Sequence, residues 1–100
     1  MELLRRNAHD NGVEAAVRVA PCTWGDHDAV AALGTFDVVL CSDVLYGHHR
    51  EVATALARTM HALCHADGRE SAALVSYFAR EKLLADVPFF EECGRLFQEP

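Results

Sequence analysis

The side chains best suited to chemistry gather in two short stretches. The first is Pro21-Cys22-Thr23-Trp24-Gly25, which holds the only tryptophan of the chain. A large flat ring in such a loop can stack on a planar heterocycle such as adenine. It can equally cap the hydrophobic core, and position alone favours the cap. The second is Cys41-Ser42-Asp43-Val44-Leu45-Tyr46. A carboxylate leaving an apolar run is costly without a partner, and Asp43 could accept a hydrogen bond from a cationic ligand or orient an amine. Tyr46, three residues on, could bring its hydroxyl to the same pocket. The alternative is that Asp43 caps a backbone turn and Tyr46 packs.

Other candidates carry less. His48 and His49 are adjacent, so in an extended segment they point opposite ways, and no third ligand lies at a metal-binding spacing. His61 and His65 stand four apart without a carboxylate motif. No metal site is expected. Ser42 and Ser76 lack the Gly-x-Ser-x-Gly elbow of a nucleophilic serine. The four cysteines, Cys22, Cys41, Cys64 and Cys93, form no Cys-x-x-Cys pair and match no zinc spacing. None has the electropositive setting of a reactive thiol.

The elements that would position these residues follow from periodicity. Residues 1–11 read as a helix end, stopped at Asn11-Gly12, where both types tolerate the left-handed conformation. In residues 13–20 Val13, Ala15, Val17 and Val19 alternate with their neighbours, which predicts a strand ended by Pro21. Residues 26–33 predict a short helix stopped by Gly34. The run Phe36-Asp37-Val38-Val39-Leu40-Cys41-Ser42 predicts a strand buried on both faces, as in parallel sheets. Residues 50–66 predict the clearest helix, with Val52, Leu56, Met60 and Leu63 on one stripe and Asp67-Gly68 as its stop. Residues 71–78 predict a second buried strand. Asp86 predicts the N-cap of a last helix, with Pro88 in its first turn.

This alternation of helices and strands predicts an α/β fold with a parallel sheet. Ligands of such sheets bind beyond the carboxyl ends of the strands, which singles out the loops after Ala20, Ser42 and Phe78. A chain of 100 residues, 51% of them apolar, forms one small globular domain with little stability to spare. The formal charge of −6, with arginines scattered rather than clustered, argues against a nucleic-acid partner. No window approaches the ~20 apolar residues of a membrane helix, and the N-terminal apolar run is too short for a signal peptide. A soluble, reducing compartment is expected, cytoplasmic or nuclear.

Taken together, the motifs resemble those of the seven-β-strand, S-adenosylmethionine-dependent protein-lysine methyltransferases. That family carries Asn-x-x-x-Asn before its third strand, matched by Asn7 and Asn11, and Trp-Gly after it, matched by Trp24 and Gly25. It carries Phe-Asp, an apolar run and Ala- or Ser-Asp-x-x-Tyr at its fourth, matched by Phe36-Asp37 through Ser42, Asp43 and Tyr46. The resemblance implies a Rossmann-like fold in which Trp24 lies against the adenine of S-adenosylmethionine and Ser42 contributes to the cofactor pocket. Asp43 and Tyr46 would stand where the methionine moiety meets the target amine. A neutral lysine amine of a protein substrate would attack the methyl group directly, the enzyme supplying position and field. The family's acidic-Gly-x-Gly loop has no counterpart here, because the six glycines stand apart. Its first two strands and C-terminal hairpin are likewise unmatched. The resemblance therefore implies a partial domain over residues 1–100, from a truncated gene model, a domain fragment or a degenerate relative, with weak or absent cofactor binding. A non-catalytic α/β interaction module derived from the same fold is the alternative.

Overall fold

The computed structural model describes residues 1–45, 49–77 and 83–97. Within them the order is α1 (Glu2–Asp10), α2 (His27–Leu33), β1 (Val38–Ser42), α3 (Arg50–Ala62), β2 (Ala72–Ser76) and α4 (Leu83–Leu96). The strands pair in parallel, Val38 with Ala72 through Ser42 with Ser76, so β1, α3 and β2 form a βαβ unit. Both strands end at the same edge, as the alternation requires.

Local chemistry accounts for the helices. Asp26 caps α2 by accepting the Ala29 N–H at 3.1 Å, and Gly34 closes it at φ 87°, where a side chain would be strained. α3 is rich in Ala, Leu, Arg and Met, all good helix formers, and its ends carry Glu51 and His61, which suit the helix dipole. It stops at Ala62 with Leu63 as its cap, four residues short of the expected end at 66. Its buried face is Ala53, Leu56, Ala57, Thr59 and Met60, while Val52 is 40% exposed, so the stripe sits rotated from the expected one.

The core is one cluster. Leu45, Ala53, Leu56, Ala57, Met60 and Phe89 are buried together, and α3 packs against α4 more extensively than any other pair of elements among the described residues. Glu92 of α4, itself buried, receives the Arg58 guanidinium at 2.7 Å and that of Arg95 at 2.7 Å, which ties the two helices together.

Four expectations need correction. Residues 13–20 are not a strand: 14–16 form a turn and 17–20 run irregularly. Alternation alone cannot hold a strand, because its N–H and C=O groups need a neighbouring ladder, and the described strands are only β1 and β2. Next, β1 and β2 are covered on one face only. Their burial alternates along both strands, and Leu40 and Leu74 are 74% and 56% exposed. Helices α3 and α4 cover the other side through Cys41, Ala73 and Val75. Third, β1 begins at Val38 rather than Phe36, which makes an isolated bridge with Cys64. β2 spans only Ala72–Ser76, and Phe78 lies outside the described residues.

The fourth concerns Asp86. It is no N-cap, because α4 begins three residues earlier and Pro88 stands inside it. The ring leaves the Leu84 carbonyl without its helical donor. Asp86 is only 2% exposed and accepts the Tyr77 hydroxyl at 2.8 Å. A buried carboxylate needs such a partner, and Tyr77 supplies one from the end of β2.

Candidate functional site

The carboxyl ends of β1 and β2 form a rim that carries Ser42 and Asp43. Ser42 and Ser76 stand side by side in register there, both exposed. Asp43 leaves β1 at φ 55°, the left-handed region that aspartate tolerates better than most residues. Its N–H donates to the Ser76 carbonyl at 3.3 Å, so the turn out of β1 is fastened to the end of β2. That turn sends the chain inward: Val44 is half-buried and Leu45 joins the core. Asp43 itself stays exposed. Tyr46, Gly47 and His48 lie outside the described residues, and with them the second half of the Asp-x-x-Tyr motif.

Trp24 packs half-buried on the cluster that Leu45 enters. Its loop closes a turn, the Asp26 N–H donating to the Thr23 carbonyl at 3.1 Å. One wall of the indole lines a groove of about 340 Å³ together with Cys22, Thr23, Glu51, Val52 and Ala55. The volume sits at the lower end of small-molecule sites, which span ~300–1,000 Å³. Trp24 thus does what the core-cap reading expected, and it also borders a cleft at the first half of α3. Trp24 packs against the same cluster that Leu45, two residues after Asp43, enters.

Several polar arrangements were not legible in the sequence. His65, whose side chain is 5% exposed, sits with Nε2 2.6 Å from Asp37 Oδ1 and Nδ1 2.9 Å from Thr35 Oγ1. Ser71 is close by, and the set has the residue types of a catalytic triad. It is not wired as one: the Ser71 hydroxyl accepts the His65 backbone N–H at 3.1 Å and donates to the Phe36 carbonyl. These bonds latch the entry of β1 to the loop before β2, at the end of the sheet opposite the rim. His61 packs edge-on against Phe97, with ring centroids 5.2 Å apart. Among the described residues no three of His, Cys, Asp or Glu gather at metal-binding range.

Electrostatics separate structure from site in the same way. Glu92 is held down to about 2, chiefly by the Arg95 guanidinium, with burial opposing and Arg58 adding to the effect. Its charge serves the α3–α4 contact. The Cys93 thiol is pushed up to about 11 by burial first and then by the nearby Glu92 and Cys41, and burial also raises Cys41. Neither thiol is activated. The four cysteines are free.

A family model described as lysine methyltransferase matches residues 1–95. No curated protein and no solved structure matches the chain. Among the described residues no helix is long and apolar enough to cross a membrane.

Proposed function

Since the chain belongs to the lysine methyltransferase family, we propose that it takes part in S-adenosylmethionine-dependent methylation of a lysine side chain on a protein, through Trp24, Ser42, Asp43 and Tyr46. The observation that carries this reading is the common end of two parallel strands. It brings Ser42, Asp43 and Ser76 together at one rim, with the Trp24 groove resting on the same core.

When bound, the cofactor supplies a methyl group made electrophilic by its sulfonium. The remaining work is that of the chain. Trp24 offers a flat apolar face for the adenine, held by the cluster below it. Ser42 offers a hydroxyl and a backbone carbonyl at the rim. Asp43, exposed and acidic, draws a cationic group to the rim and orients the N–H bonds of an arriving amine. Tyr46 completes the motif with a hydroxyl that can share that task. Placement and field, rather than a covalent intermediate, carry such a reaction.

The residues fit one side of the cofactor better than the other. The groove beside Trp24 suits a planar apolar group, while none of the six glycines belongs to a Gly-x-Gly pair that would let backbone approach the methionine portion. Affinity is accordingly expected to be low. Titration of S-adenosylmethionine by calorimetry, followed by assay on a lysine-containing peptide mixture, tests the proposal. Saturable heat that disappears in Trp24→Ala, with methylation lost in Asp43→Asn, is the expected result. Absence of any saturable heat would refute it and favour the non-catalytic interaction module.

A further inference from the structure

Thr59 lies on the buried face of α3, 34 residues from Trp24's neighbour Gly25, yet its hydroxyl accepts the Gly25 N–H at 2.9 Å. The other threonine of that helix behaves differently. The Thr54 hydroxyl donates back to the carbonyls of Arg50 and Glu51 at 3.0 and 3.2 Å, the ordinary local habit of threonine in a helix. Thr59 instead reaches out of the helix to the loop.

Gly25 is shaped for this contact. Its φ is +86°, and a Cβ at that position would stand 3.2 Å from the Ala55 Cβ. The loop backbone therefore lies close against α3, in a conformation side chains resist. There sits one part-buried hydrogen bond, whose acceptor residue Thr59 is 5% exposed. Threonine on a helix divides between two χ1 rotamers, and here the hydroxyl takes the one that meets the Gly25 N–H. Trp24 is the residue directly before the pinned amide.

We propose that Thr59 is a positioning residue: its hydroxyl fixes Gly25 against α3 and so sets the depth and angle of the Trp24 indole over its groove. A consequence for cofactor affinity follows, and this part rests on the proposed role of Trp24. If the ring must be held ready to stack, losing its anchor weakens binding without removing any group that touches the ligand.

The chain has one tryptophan, so emission excited at wavelengths its two tyrosines do not absorb reports this loop alone. Thr59→Val keeps the branched shape and removes the acceptor, whereas Thr59→Ser keeps the acceptor. Expected for Thr59→Val are a red-shifted emission and a raised iodide-quenching constant with native far-ultraviolet circular dichroism, and for Thr59→Ser emission and quenching as in the wild type. Unchanged emission and quenching in Thr59→Val, or a Thr59→Ser variant that matches it, overturns the proposal. Should Thr59→Val fail to fold, Gly25→Ala moves the loop from the other side, and unchanged emission there overturns it equally. Titration with S-adenosylhomocysteine then separates the two readings. Loss of one such hydrogen bond is expected to weaken binding roughly five- to ten-fold. A wild-type chain that binds no ligand refutes the role of Trp24 in cofactor binding, while the emission measurements still decide the role of Thr59.

Discussion

Leu40 and Leu56 are the same residue type in regular elements of the same small domain, and the fold assigns them opposite energetic weight. Leu56 is 2% exposed and is surrounded by Ala53, Ala57, Met60 and Phe89, whereas Leu40 is 74% exposed on the uncovered side of β1. Truncating a buried leucine costs the transfer of its lost methyl groups plus the cavity they leave, about 2–5 kcal/mol for Leu→Ala. Truncating an exposed one stays within about 0.5 kcal/mol. Small proteins lose ~1–3 kcal/mol of stability per molar urea, so Leu56→Ala should lower the urea midpoint by at least about 0.7 M. Leu40→Ala should shift it by no more than a few tenths. Urea melts followed by circular dichroism at fixed protein concentration measure both. Equal losses in the two variants would refute the reasoning, because they would mean that the outer face of the sheet is covered in solution.

Two further outcomes follow from charge and burial. The Glu92 carboxyl is lowered from 4.5 to about 2, so the stability it contributes is complete above pH 4.5 and fades as pH falls toward 2. The thermal midpoint of the wild type should exceed that of Glu92→Gln at pH 6, and the gap should close on acidification; a gap that stays constant from pH 6 to 2 contradicts the Arg58–Glu92–Arg95 tie. With its thiol near 11, Cys93 should react with iodoacetamide at pH 8 roughly a hundred-fold or more slowly in the native chain than in urea. Peptide mapping by mass spectrometry checks this, and comparable rates would show that the thiol is not shielded.

How much of this was legible in the sequence depended on the range of the interactions involved. α2 was readable because its start and stop are written locally, in Asp26 and Gly34. β1 and β2 were readable as parallel strands from their apolar runs. Their single covered face was not, because a continuous run such as Val38-Val39-Leu40-Cys41 suits a strand wrapped on both sides and does not say which helices exist to wrap it. Residues 13–20 carried the right alternation and lacked a ladder to join. Asp86 looked like a cap by its neighbours, and nothing nearby announced that its carboxylate accepts the hydroxyl of Tyr77, nine positions earlier. The site shows the same division. Trp24, Ser42 and Asp43 drew notice through residue type and family resemblance, while the Thr59–Gly25 bond and the His65–Asp37 latch join residues 34 and 28 positions apart and leave no local trace.

The left-handed backbone of Asp43 governs how its chemistry can be interrogated. At φ 55° the position acts as a conformational filter that admits aspartate, asparagine and glycine with little penalty and resists alanine or branched residues. An alanine scan would therefore perturb the corner of the chain and delete the charge in one stroke, confounding geometry with electrostatics. Asparagine neutralises the acid while leaving the bend intact and the side chain nearly the same size.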